Sequence, residues 1–212
     1  AVATRCETAG DREAAIAGLV DLARRRRPTR VGVDAALSLP QSAVRALGVE
    51  DWALLPATVR SKCSDPRALT KVVIDAAPAT GSRYPRRVVD AQATALSPVH
   101  FMIAAQTYAA LTELLPRWQQ VGGIIPHTSG IPALCEVYPA AALGVWGLDA
   151  TGYKGSDPIH RGRRTLIVEA LTATGAVRIA EDARDAVIDQ RGGDLLDAAI
   201  AATATAFMTP CS

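Results

Sequence analysis

Residues 31–40 read VGVDAALSLP, and the reading of this stretch decides the fold. Val31, Gly32 and Val33 form an apolar run without polar alternation. That points to a short strand buried on both faces, because a strand with one wet face alternates apolar and polar residues. Asp34 closes the run, and Pro40 then breaks the chain. Just upstream, residues 11–27 place Ile16, Leu19, Val20 and Ala23 at helical spacing, with an acidic first turn and an arginine-rich last turn ahead of Pro28. This spacing predicts a helix with its charges matched to the helix dipole. A helix that runs directly into a buried strand is the grammar of an α/β sheet.

The same pattern returns at ALCEVYP, residues 133–139, where a short apolar strand carries Glu136 and Pro139 breaks the run. Between the two strands, residues 41–96 hold a short helix near 42–47 and are then punctuated by Pro56, Pro66, Pro78 and Pro85, which reads as an insertion or lid. Ser97 and Pro98 look like the N-cap and first-turn proline of a long helix through Leu115, with Met102, Ile103, Leu111 and Leu114 facing inward and Pro116 at its end. GIIPHTSGIP, residues 123–132, is a loop. A short helix over 140–146, a polar loop over 147–162 and helices at 163–172, 181–189 and 193–208 complete the chain. No internal repeat or linker divides it, so residues 1–212 read as one α/β domain.

Composition narrows the classes. The chain of 212 residues is 49% hydrophobic and 21% charged, which is globular rather than disordered and long enough to bury a real core. A net charge of +2 is too mild to signal a nucleic-acid binder from bulk electrostatics. Cys6, Cys63, Cys135 and Cys211 are scattered without a CxxC pair, which fits reduced thiols in a cytoplasmic protein rather than a zinc site or a disulfide framework. No apolar run approaches the ~20 residues of a membrane span, and no signal-peptide pattern opens the sequence, so a membrane partner is not expected. The sequence leaves the oligomeric state open.

The chemistry lies in the carboxylates. In open α/β sheets, ligands sit beyond the carboxyl ends of parallel strands, where Asp34 and Glu136 fall. In the last helix Asp194 and Asp197 are three apart and share one face of an otherwise apolar segment. Carboxylates that converge in a partly buried site repel one another unless one is protonated or a cation joins them. Magnesium, or manganese in its place, suits such a site because it takes oxygen ligands and needs only one or two carboxylates beside water and substrate phosphate. Each acid also has a structural reading: Asp34 as a turn residue or cap, Glu136 in a salt bridge, Asp194 as the helix cap that leaves Asp197 the better ligand. Among the cations, Arg87 in YPRRVVD stands ready to grip an anionic substrate or to pair with a carboxylate. Lys154 in GYKG, followed by Arg163 and Arg164, can reach phosphate from a glycine-flanked loop or lie on the surface. The run at 24–30, RRRRPTR, meets phosphate or forms a solvated helix end. No histidine has a metal-spaced partner, and neither a G-x-S-x-G elbow nor a Walker phosphate loop is present.

VGVDAALSLP, YPRRVVDAQ, CEVYPAAALGVWGL, GYKG and GGDLLDAAIAA occur in this order along essentially the whole chain. In them the sequence resembles the uncharacterised family catalogued as domain of unknown function 429. The resemblance implies a ribonuclease H-like mixed sheet flanked by helices, with residues 11–27 as its first helix, RVGVD and ALCEVYP as its fourth and fifth strands, and 193–208 as its closing helix. It also implies metal-binding acids at Asp34 and at Asp197 or Asp194, with Glu136 as a further candidate. On this mapping AVATRC is the tail of a third strand, and the first strand, with its own acid, lies ahead of Ala1. The expectation is therefore a magnesium-dependent phosphodiester hydrolase using Asp34, Glu136 and Asp197, with Arg87, Lys154 and Arg164 on the phosphate of a nucleic acid or a phosphorylated small molecule. The alternative is a catalytically silent scaffold of the same fold that binds a protein or nucleic-acid partner.

Overall fold

The computed structural model describes residues 2–4, 11–77 and 82–208, the first of these by backbone alone. In chain order come β1 (Val2–Thr4), α1 (Arg12–Arg26), β2 (Arg30–Val33), α2 (Gln41–Ala46), a 3-10 turn (Trp52–Leu54), α3 (Leu55–Lys62), α4 (Pro66–Asp75) and α5 (Val88–Gln92). There follow α6 (Ala104–Ala109), a π-helical turn (Ala110–Leu114), α7 (Leu115–Trp118), β3 (Gly123–Ile125), β4 (Ala133–Glu136) and α8 (Pro139–Val145). The last elements are α9 (Pro158–Ala173), β5 (Val177–Ile179), α10 (Glu181–Asp189) and α11 (Asp194–Phe207). The fold is thus α/β. It divides into two compact units: Ala1–Gly10, Arg30–Asp34 and Val137–Ser212 in the first, Asp11–Thr29 and Ala35–Glu136 in the second.

In the first unit β1 and β5 pair in parallel, Val2 opposite Val177 and Thr4 opposite Ile179. The spacing of the sequence assigns no element to 177–179, because three residues carry no readable period. The core gathers Leu143 from α8, Ile167, Val168 and Leu171 from α9, Val187 from α10, and Leu196 and Ile200 from α11. These positions recur at i, i+3 and i+4 along α9 and α11, as an inward helix stripe requires. Helix α11 lies directly on β2. Gly32 makes that possible: a Cβ there would stand 2.1 Å from Thr205 Oγ1 and 2.9 Å from the Ala201 carbonyl oxygen. The four residues of β2 are only half-buried, so the expectation of a strand buried on both faces gives way to a strand covered in part.

In the second unit α1 is capped by Asp11, whose side chain accepts from Ala14 N–H at 2.7 Å, and buries Ile16, Val20 and Ala23. Residues 41–96, read as an insertion or lid, carry four α-helices among the described residues. Leu55 and Val59 of α3 and Leu69 and Val73 of α4 are buried, with α3 against the π turn and α4 against α6. The long helix expected from Ser97 starts instead at Ala104. Ser97 Oγ donates to the Pro85 carbonyl at 2.7 Å, and the turns that follow leave Phe101 and Met102 exposed, whereas Leu111 and Leu114 point inward as expected. Pro116 does not end the helix. In a regular α-helix its ring would meet the carbonyl of Thr112, and Thr112 lies in the π turn, where the ladder is already widened. Strands β3 and β4 run parallel, Gly123 opposite Ala133 and Ile125 opposite Cys135, and Trp118 is buried with its indole N–H on the Gly123 carbonyl at 2.9 Å.

Cys63 and Cys135 are buried, while Cys6 and Cys211 lie outside the described residues. No helix among the described residues is long and apolar enough to cross a membrane.

Gly32→Ala tests the seat of α11. Thr205 can rotate away, but the Ala201 carbonyl cannot, so the variant is expected to lose about 1–3 kcal/mol of stability, the usual cost of forcing a methyl into a filled site. Urea midpoints of the two proteins measure it, and an unchanged midpoint would show that α11 does not rest on β2 in this way.

Candidate functional site

In the first unit, β2 delivers Asp34 one residue beyond its end, on the surface. Gly193 opens α11 with φ +79°, and a Cβ there would lie 3.1 Å from Lys154 Cγ and 3.2 Å from Tyr153 Cε2. The GYKG loop therefore packs onto the start of α11, and glycine at 193 satisfies both the left-handed backbone and the close approach. Asp197, in the first turn of α11, is 5% exposed. Its Oδ1 accepts from the Tyr153 hydroxyl at 2.7 Å and its Oδ2 from Lys154 Nζ at 2.6 Å. A buried carboxylate demands such partners.

The electrostatics extend further. Burial raises the Tyr153 phenol well above its ordinary value, helped by the hydrogen bond to Asp197 and the charges of Asp197 and Asp34. Desolvation works to lower the Lys154 ammonium, but the bond to Asp197 and the charges of Asp197, Asp34 and Asp194 outweigh it and raise it. Asp34, Asp194 and Asp197 thus act on one half-exposed lysine. Asp194 is not the cap expected for it, since Gly193 takes that position. Its Oδ2 instead accepts from Gln190 Nε2 at 3.0 Å, while Gln190 Oε1 accepts the Leu195 N–H at 3.1 Å.

The second unit holds a separate cluster. Glu136, at the end of β4, meets a guanidinium where the sequence reading expects a metal ion. Arg87 Nη1 donates to its Oε2 at 2.7 Å and Arg87 Nη2 to its Oε1, while the Leu37 N–H adds a bond to Oε2 at 3.0 Å. Arg87 also donates from Nε and Nη2 to Asp90, which is 3% exposed, and from Nη1 to Ser38 Oγ at 3.2 Å. Desolvation of Arg87 is more than offset by Glu136 and Asp90, which hold it cationic. Of the two uses expected for Arg87, its guanidinium makes the pairing with carboxylates. An open cleft of about 450 Å³ lies alongside, lined by Ser38, Leu39, Gln41, Arg86, Arg87 and Val88.

Nearby, the rings of Trp52 and His127 stack 4.0 Å apart at 3°. Desolvation pushes His127 below the ordinary imidazole value, Glu136 opposing and Arg87 reinforcing the shift.

Arg164 corrects the sequence reading. It is 2% exposed and spends its guanidinium on main-chain carbonyls, Nε on Ile188 and Nη1 on Tyr153 and Gly155, so it braces the GYKG loop from beneath and does not face a substrate. Its place on the inner face of α9, with Ile167, Val168 and Leu171, explains the burial. Sequence reasoning missed Tyr153 and Asp90 as functional partners. The signals were present, since Tyr153 sits inside GYKG and Asp90 stands three residues after Arg87, but only the fold supplies their contacts.

Residues 1–210 of the chain match the family model described as protein of unknown function (DUF429). The chain belongs to this family. No curated protein matches it, and no solved structure does. For a DUF429 chain, the metal implied by the ribonuclease H resemblance can be tested against the donors. Asp34, Asp194 and Asp197 supply hard oxygen ligands of the kind Mg²⁺ takes, and that ion needs only one or two carboxylates. They fit as such a partial set. Among the described residues no three His, Cys, Asp or Glu side chains gather into a cage.

Two outcomes check this geometry. Arg87→Met strands Asp90 and Glu136 without their cation and is expected to cost about 3–5 kcal/mol in urea unfolding; a loss below about 1 kcal/mol would mean that the pairing carries little. The His127 shift has a defined sign: the folded protein binds fewer protons there than the unfolded chain, so stability falls as pH drops below the ordinary 6.5. Thermal melts of the protein and of His127→Phe should diverge below that pH, with the variant spared this component of the loss.

Proposed function

We propose that this chain is a divalent-metal-dependent phosphodiester hydrolase of ribonuclease H-like fold. Asp34 and Asp197, with Asp194 beside them, would hold Mg²⁺ or Mn²⁺. The observation that carries the reading is buried Asp197 at the start of α11, one oxygen of which is held by the half-exposed Lys154, with Asp34 just beyond the end of β2 in the same unit. When bound, the cation supplies charge neutralisation and Lewis acidity at a phosphate oxygen. The chain's own residues do the rest. Tyr153 fixes Asp197 through Oδ1, Arg164 holds the loop that carries Tyr153, and half-exposed Lys154 offers an ammonium within reach of an anionic phosphate. The substrate class is a nucleic acid, with a phosphorylated small molecule as the narrower case. The burial of Cys63 and Cys135 accords with the reducing, cytoplasmic setting proposed for the chain.

A second reading, a silent scaffold that binds a protein or nucleic acid, is favoured by one observation: both oxygens of Asp197 and both of Glu136 are already paired within the protein.

Purified protein with Mg²⁺ or Mn²⁺ is expected to cleave at least one of DNA, RNA, an RNA–DNA hybrid or a small phosphodiester. Asp34→Asn and Asp197→Asn are expected to lower the rate at least about a hundredfold with circular dichroism unchanged, in the range seen when support for a metal ligand is lost. Absence of cleavage on all four substrates, or equal cleavage by the folded Asn variants, would leave the scaffold reading.

A further inference from the structure

We infer that Lys154 is an internal competitor for the cation site, its ammonium occupying Asp197 until a divalent ion displaces it, so that this residue sets the affinity for metal. The inference rests on the reading of Asp34 and Asp197 as cation ligands. It concerns a different property, which side chain holds the site when metal is scarce.

The two oxygens of Asp197 are not equivalent. Oδ1 is held by the hydroxyl of Tyr153, a residue 5% exposed and anchored through its own carbonyl by Arg164. Oδ2 is held by Lys154, whose side chain is 52% exposed. One partner is built into the core, and the other stands in solvent on four rotatable bonds. The main chain of the loop is pinned on both sides of the lysine, by Arg164 at Tyr153 O and by the Gly155 N–H on the Arg191 carbonyl at 2.8 Å. Exchange at Oδ2 therefore needs only a rotation of the lysine side chain and no movement of the backbone.

An ammonium 2.6 Å from Oδ2 competes with a divalent ion for that oxygen, because two cations bound to one oxygen stand close enough to repel each other in a partly desolvated site. Lys154 also lies within the influence of Asp34 and Asp194. It already compensates the acids that metal would otherwise join, and it relieves their repulsion in the metal-free protein. Once displaced, the ammonium is free at the edge of the site, where an anionic substrate would meet it.

Calorimetric titration of the full chain with MgCl₂ tests this, with Lys154→Met and Lys154→Gln alongside the parent. Gln keeps an N–H donor without the charge and guards against a folding defect in Met. Removing one unit charge in contact with the site is expected to tighten Mg²⁺ binding roughly tenfold in both variants. Lys154→Arg, which keeps the charge, should stay near the parent. Binding that is unchanged or weaker in both neutral variants, or absent in all of them, overturns the inference. Tighter binding in both, together with no cleavage of any phosphodiester by the parent, would sustain the inference and discard the hydrolase.

Discussion

Asp197 sits in the first turn of a helix whose other inward positions are Leu, Ala, Ile and Thr, and it is almost wholly removed from water. An ionised carboxylate in that place must be given donors, or the first unit could not close over it. Much of the local architecture answers that demand. Gly193 lets the GYKG loop come down onto α11, Tyr153 and Lys154 then reach the two oxygens, and Arg164 holds the loop from the other side through main-chain carbonyls. Gly32 belongs to the same arrangement, because α11 settles against β2 only where no side chain intervenes. The second unit meets the same demand with one guanidinium, Arg87, shared between buried Asp90 and half-buried Glu136.

The acids were the legible part of the sequence. A carboxylate that closes an apolar strand, or interrupts an apolar helix face, breaks the pattern on which folding depends, and Asp34, Glu136 and Asp197 stand out for that reason. The helices with a full period were legible too, α1 to within a residue at each end and α10 over the whole of its expected span. Partnership was not. Arg87 and Glu136 are 49 residues apart, and Lys154 and Asp197 43, so each pairing is a property of the fold and leaves no local trace. Arg164 shows the limit in reverse, since an arginine beside Arg163 near a helix start reads as a phosphate contact, and only the register of α9 turns it inward.

The fold departs from the sequence where short signals compete. Ser97-Pro98 has the chemistry of a helix start, yet the serine hydroxyl is taken by the Pro85 carbonyl, and the helix waits until Ala104. Pro116 has the chemistry of a helix stop, and a π turn absorbs it. Strand β5 escapes notice because three residues can carry no alternation, although it is the partner of β1. At Ser97 a contact twelve residues away overrides a local capping preference of about 1 kcal/mol, which tertiary packing readily does.

The two clusters differ in a way that bears on chemistry. Arg87 is buried and planar, and its donors are spread over Asp90, Glu136 and Ser38, so none of its bonds can be exchanged without exposing a carboxylate to an apolar surrounding. Lys154 is a compact charge on a flexible stem, half in solvent, and holds a single oxygen. An arrangement meant only to neutralise Asp197 would gain from a buried arginine of the kind the second unit uses. A lysine there keeps the charge balanced while leaving one carboxylate oxygen exchangeable, and exchangeability is what a ligand site requires and a structural ion pair does not. Asp34 and Asp194, by contrast, stand exposed, where an ionised carboxylate costs little.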